Sequence, residues 1–233
     1  MSDPFRIVPA GDACVLLRFE ERIDRAVNAQ VVSVAAALGR KKLPGVRDIV
    51  PTFRSVAVHF DPLQTRYEAL TDALRMAALG GMGTAPVAPA EIRVPVCYGG
   101  AFGPDLHEVA GFAGLSEREV VGLHADAPYH VFMLGFMPGF AYMGPVAERI
   151  AAPRRSVPRT RVAAGSVAIG GEQTGIYPGD APGGWQLIGR TPLQVFDLSR
   201  TQWCLFKPGD TVQFYAVNRE QYDALSSGRR TAT

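Results

Sequence analysis

Cysteine is scarce in this chain: only Cys14, Cys97 and Cys204 occur, far apart and with no C-x-x-C spacing. That excludes a disulfide framework and a cysteine-based zinc site, and each thiol reads as a small buried hydrophobe in a reducing cytoplasm. Excess charge is scarce as well. A net charge of +2 is too small to drive binding to nucleic acid or to a membrane surface. No run of about 18 apolar residues is present, so no membrane-spanning helix is expected. The opening MSDPFRIVPAGD is polar and acidic where a secretory leader is basic and then apolar, which points to a cytoplasmic protein. Histidine is nearly as rare: His59, His107 and His130 lack metal-ligand spacing, and no metal site is expected. The signatures G-x-x-x-x-G-K-[ST], G-x-G-x-x-G, G-x-S-x-G and H-E-x-x-H are all missing. Gly-Gly-Glu-Gln-Thr-Gly at 170–175 is too weak a pattern for a phosphate loop, and spacing alone places no catalytic nucleophile.

What the chain has in quantity is glycine and proline, 25 and 18 residues of 233. Between Leu134 and Arg190 they recur with aromatic residues and arginine in fixed phrases. Each glycine there costs about 1 kcal/mol against alanine inside a helix, and each proline more, so this stretch is expected to be β structure. Short runs such as Ser166-Val167-Ala168-Ile169 and Trp185-Gln186-Leu187-Ile188 read as its strands. Glycine-punctuated strands of this kind suggest a backbone that comes close to a ligand or a partner chain.

The first part reads as a small α/β domain, residues 1–85. Ala13 to Phe19 is strand-like, Ile23 to Leu38 has helical spacing and stops at Gly39, and Ile49-Val50 and Ser55 to Phe60 form a strand pair. Thr65 to Glu68 has capping-box spacing and opens a second helix toward Gly80. The uncharged Gly80 to Pro89 is the natural linker. Residues 86–233 form the second domain. Ile92 to Cys97 alternates as a strand, Gly103-Pro104-Asp105 opens a short helix, and Ser116 to Glu119 is a second capping box whose helix ends near His124. From Tyr129 onward only strands and turns are expected, with Lys207 to Asp210 as a turn before a closing strand, Thr211 to Val217. The fold class is α+β and mostly β.

The phrases VCYGGAFGPDLHEVAGFAGLSEREVVGLH, LGFMPGFAYMG, PRRSVPRTRVAAGS, QTGIYP, PGGWQLIGRTP and KPGD resemble the allophanate hydrolase subunit 1 family. That family includes the B subunits of 5-oxoprolinase (PxpB), its closest resemblance here, and the sporulation-kinase inhibitor KipI. The likeness is near continuous from Ile92 to Phe214. It implies a cyclophilin-like β-barrel behind the small α/β domain. It also implies a non-autonomous subunit of an ATP-dependent amidohydrolase that cleaves 5-oxo-L-proline to L-glutamate. The implied partners are a larger cyclophilin-like subunit of the PxpC/KipA kind and a third protein of the PxpA kind, with ATP held by the complex. The other readings are a KipI-like inhibitor of a histidine kinase and a subunit of a urea- or allophanate-type amidohydrolase.

With the resemblance, one groove for an acidic small molecule or a partner is expected. Arg154, Arg155, Arg159 and Arg161 fall within eight residues, interrupted by Pro158. They read as an exposed basic loop or as a grip, since in extended backbone Arg159 and Arg161 point to one side as a fork for a carboxylate or phosphate. Phe136 and Phe140 beside Pro138 and Gly139 read either as the groove wall or as core beneath a turn. Pro182, Gly183 and Gly184 let the chain bend sharply and carry Trp185 to the site, with Gln173, Thr174 and Arg190 close in sequence. His124 ends a helix whose dipole favours the charged imidazolium, and reads as an acid or base or as a structural residue. Asp105 and Glu108 read as capping and surface charges.

Overall fold

A computed structural model describes residues 4–80 and 88–227. The chain divides into two compact units, Met1–Ala88 and Pro89–Thr233. The proposed linker falls mainly on 81–87, outside the described residues.

The first unit is a four-stranded antiparallel sheet with two helices. Its strands are β1 (Arg6–Pro9), β2 (Cys14–Arg18), β3 (Val46–Pro51) and β4 (Ser55–Phe60), in the order β1-β2-β4-β3. The helices are α1 (Arg25–Lys41) and α2 (Tyr67–Ala78). Alternation along β2 and β4 buries Val15, Leu17, Val56, Val58 and Phe60 against the helical stripes Val27, Val31, Val34, Leu38 and Leu70, Leu74, Ala77. Asp24 caps α1 by accepting from the Ala26 and Val27 amides at 2.8 and 3.2 Å.

Two helix boundaries differ from the sequence reading. Helix α1 runs through Gly39, and Lys42 takes the left-handed terminal position with φ 44°. The Thr65 box does not form. Its hydroxyl bonds the Pro44 carbonyl instead, and α2 starts one residue later behind Arg66, which offers no capping side chain.

The second unit is built on a closed seven-stranded barrel. Its strands are β5 (Glu91–Tyr98), β6 (Pro128–Leu134), β7 (Ala141–Gly144), β9 (Ser166–Gly170), β10 (Gln173–Ile176), β12 (Gln186–Arg190) and β13 (Thr211–Ala216). They follow the order β10-β7-β6-β13-β5-β12-β9, and β9 pairs with β10 to close the ring. The β13–β5 pair is parallel and the other pairings are antiparallel. A separate two-stranded ribbon joins β8 (Arg159–Val162) to β11 (Ala181–Gly183). Helices α3 (Leu106–Ala113) and α4 (Glu117–Ala125) send Leu106, Val109 and Val120 into the barrel core beside Val96, Met143, Ile169, Ile188 and Phe214. The Ser116–Glu119 capping box is formed in both directions. Buried Asp210 fixes the Lys207 turn by accepting from the Lys207 and Ala90 amides at 2.8 and 3.0 Å, which ties the turn to the start of β5.

The expectation of strands and turns alone after Tyr129 is incorrect twice: a short 3₁₀ helix spans Glu148–Ile150, and a helix follows the last strand. Helix α5 (Arg219–Ser227) follows β13 and buries none of its residues, so no apolar stripe announces it. The missed signal was Asn218-x-x-Gln221. The Gln221 amide donates to the Asn218 side chain at 2.8 Å, and the Asn218 amide donates back to Gln221 at 2.9 Å.

Candidate functional site

Strand β9 carries the barrel wall in two directions. Val167 and Ile169 join the barrel core, whereas Ala168 between them joins a second apolar cluster with Phe140, Val162, Tyr177, Trp185 and Leu187. Val162 comes from the β8–β11 ribbon, so that ribbon packs over this outer face. The rings meet edge to face: Phe140 lies 5.5 Å from Trp185, 5.4 Å from Tyr177, 5.0 Å from Tyr142 and 5.5 Å from Phe136.

The glycines make room for these rings. A Cβ on Gly170 would sit 2.7 Å from the Trp185 indole, and one on Gly183 would overlap the Tyr177 hydroxyl. The close approach expected of this backbone is therefore made, at these positions, to its own aromatic side chains. The turn 135–140 holds Phe136 at φ 68°, with Gly139 at φ 83°. For a phenylalanine that conformation costs on the order of 1–3 kcal/mol, and the ring is still 60% exposed.

Asp105 organises the arginines. It is 1% exposed, not a surface or capping charge as the sequence suggested. Arg159 donates to both its oxygens, at 2.8 and 2.6 Å, Arg155 donates at 3.1 Å, and the Leu187 amide donates at 2.7 Å. Burial pushes the Asp105 carboxyl up, but the bonds from Arg159 and Leu187 outweigh it and hold the group below its ordinary value. The fork expected of Arg159 and Arg161 is not formed. Arg159 is engaged by Asp105, while Arg161 reaches out to Asp180 at an exposed pair. The stretch before β8 is laced to β12 by the Arg155 amide on the Gly184 carbonyl, 2.7 Å, and by Gln186 on the Pro153 carbonyl, 3.0 Å. On that laced stretch Arg154 holds its guanidinium 5.6 Å from the centre of the Trp185 ring. Among the described residues it has no carboxylate partner.

His124 belongs to the other side of the wall. It is fully buried, stacked on Phe214 at 4.6 Å. Its Nδ1 lies 2.8 Å from the Tyr98 hydroxyl and its Nε2 lies 2.9 Å from Thr174 Oγ1. Thr174 donates onward to the Ala168 carbonyl at 3.0 Å. With that proton committed, Thr174 accepts from Nε2–H, and Nδ1 accepts from Tyr98, so every group in the chain is satisfied. Burial lowers the His124 pKa to about 3, opposite to the helix-end expectation, because the barrel interior offers the imidazolium no solvation. His124 stays neutral and is not an acid or base of the outer face.

The structure thus brings Phe136, Phe140, Gly183 and Trp185 together and ties Arg155 and Arg159 to the same strand through Asp105. Pro138 and Pro182 are exposed on the adjoining segments, Gly184 lies against Pro158, and half-buried Gln173 opens β10. Thr174 and His124 lie inside the barrel. Arg190 is elsewhere, over the Phe102 ring at 4.8 Å, with Arg219 of α5 at 4.7 Å from the same ring. Sequence reasoning missed Asp105, Tyr142 and Tyr177. No local signal marks Asp105, since its arginines lie 50 and 54 residues away. No group of three or more acidic, histidine or cysteine side chains suited to a metal occurs among the described residues.

Residues 5–206 match the carboxyltransferase domain, subdomain C and D. The chain belongs to this family. The match takes in the whole aromatic and arginine face, and ends before β13. Over 235 aligned residues the chain is 40% identical to the B subunit of 5-oxoprolinase from Bacillus subtilis (strain 168), covering 96% of this chain and 98% of that one. The crystal structure of TTHA0988 is similar with a TM-score of 0.81 at 36% identity. The likeness covers 88% of this chain but only 40% of that longer one. K. lactis urea amidolyase, at 22% identity and a TM-score of 0.76, contains the same fold over 96% of this chain and 16% of its own. This family's module therefore occurs both as a chain of this size and inside longer polypeptides.

Proposed function

We propose that this chain is the B subunit of a 5-oxoprolinase, acting in a complex that opens the lactam of 5-oxo-L-proline to L-glutamate with ATP. The observation that carries this reading is the end-to-end match to the Bacillus subtilis protein, 96% of one chain against 98% of the other. An alignment of that reach takes in both units and the whole aromatic face. The urea amidolyase likeness supports the fold alone.

In this reading the chain does not act by itself. A larger cyclophilin-like subunit and a third protein complete the enzyme, and the outer aromatic face of the barrel is where this chain meets substrate or sister subunit. Exposed Phe136 and Pro138 and half-buried Gly183 and Gly184 border it, over buried Gly139, Phe140 and Trp185. Hydrolysis adds one water across the ring amide, and ATP supplies the driving force for breaking that resonance-stabilised bond. Gly-Gly-Glu-Gln-Thr-Gly is the β9–β10 hairpin, with Gly170 pressed against Trp185. In this reading the nucleotide is held by the complex.

The purified chain is expected to release no glutamate from 5-oxo-L-proline and ATP, and to support release once both partners are added. A complete set of proteins that assembles and releases none contradicts the proposal.

A further inference from the structure

Of the four arginines between Pro153 and Val162, three are occupied within the chain: Arg155 and Arg159 by Asp105, and Arg161 by Asp180. Arg154 is the exception. It is exposed, and the backbone on either side of it is tied down, by Gln186 on the Pro153 carbonyl and by the Arg155 amide on Gly184. Its guanidinium faces Trp185, an indole fixed by contact with Phe140 and by the space that Gly170 leaves. A guanidinium placed over a ring face keeps its in-plane N–H donors clear of the ring, available to a planar two-oxygen acceptor. Trp185 and Phe140 are themselves buried, and the rings of the cluster that reach its surface are half-buried Tyr142, 6.0 Å from Trp185, and exposed Phe136, 5.5 Å from Phe140.

We propose that Arg154, held over Trp185, is a carboxylate-binding subsite for a small ring-bearing acid, with the aromatic shelf taking the ring. The proposal rests on the 5-oxoprolinase reading, in which that acid is 5-oxo-L-proline and Arg154 selects it through its carboxylate. Asp105 is then a positioning residue: by occupying Arg155 and Arg159 it holds the stretch that presents Arg154. The arginine chosen by strand spacing, Arg159, serves the scaffold, and the neighbour without a partner serves the ligand.

The test uses the reconstituted complex and steady-state glutamate release. Arg154→Ala is expected to raise KM for 5-oxo-L-proline at least tenfold while changing kcat less than threefold, since the carboxylate lies away from the bond that breaks. Arg154→Lys, which keeps the charge but loses the planar fork, falls between the two. Arg118→Ala, at an exposed position of α4, leaves both constants unchanged. An Arg154→Ala complex with wild-type KM overturns the subsite and leaves the subunit assignment standing. Failure of that variant to co-purify with its partners also overturns it, by making Arg154 a docking residue. A wild-type complex without activity overturns the assignment and the subsite together.

Discussion

On strand β9, Val167 and Ile169 face one way and Ala168 the other, and polar groups behave differently on the two sides of that wall. Inside, Tyr98, His124 and Thr174 pass a single chain of hydrogen bonds to the Ala168 carbonyl and leave nothing over. Outside, the arginines are unequally used, Phe136 is held exposed in a strained conformation, and Arg154 is presented without a counter-charge. A closed network is what a structural interior requires, because an unmet buried polar group costs about 1–3 kcal/mol. An exposed arginine without a counter-charge and an exposed ring suit a binding face. The contrast separates His124, the residue that sequence chemistry suggests first, from the face proposed to bind.

The comparison can be broken at the joint between the two sides. Asp105→Ala removes the carboxylate from two partly buried guanidinium groups and from the Leu187 amide, and is expected to destabilise the unit by about 3–5 kcal/mol, measured by chemical denaturation. Because the folded-state pKa of Asp105 is depressed, its contribution is present above the unfolded carboxyl value and is lost as pH falls through the folded one. A loss below about 1 kcal/mol would place Asp105 outside the scaffold.

The interior side is sharpened by titration. The unfolded chain binds a proton at His124 below about pH 6.5, and the folded barrel refuses it until about pH 3. Stability is therefore full above pH 6.5 and declines as acid is added, by up to about 1.4 kcal/mol per pH unit. His124→Gln is expected to flatten that decline between pH 6 and 4 (a range set by those two values). An unchanged slope would show the imidazole to be solvated.

On the outer side, Gly170→Ala places a methyl against the Trp185 indole and is expected to cost about 1–3 kcal/mol, with a change in the tryptophan fluorescence spectrum. The smallest effect belongs to Phe136→Gly. Relief of the positive φ and loss of ring contacts oppose each other, so stability should stay within about 1 kcal/mol. A loss above about 2 kcal/mol (by the same scale) would make Phe136 a packing residue.

Much of this fold was legible residue by residue. Alternation marked β5 and β13, short β-type runs marked β2, β4 and β9, and the Ser116 box marked α4, because those signals are local and the structure leaves them undisturbed. The Thr65 box failed because a tertiary contact with Pro44 took the hydroxyl. Helix α5 went unread because it buries nothing. The candidate site was legible in its rings and glycines but not in its charges. Strand period places Arg159 and Arg161 on one side, yet which arginine finds a carboxylate depends on Asp105, 54 residues before Arg159. His124 misled for the same reason: a helix end suggests a raised pKa, and only the packed barrel around it reverses the sign.

On this reading the outer aromatic face binds and the interior network supports it. That reading is tested most directly by kcat/KM for 5-oxo-L-proline in the reconstituted complex, comparing Phe136→Ala with Thr174→Val at a temperature where both are folded. A fall on the order of tenfold or more is expected for Phe136→Ala, with a value within about twofold of wild type for Thr174→Val. The reverse pattern, with activity lost at Thr174 and kept at Phe136, would contradict it.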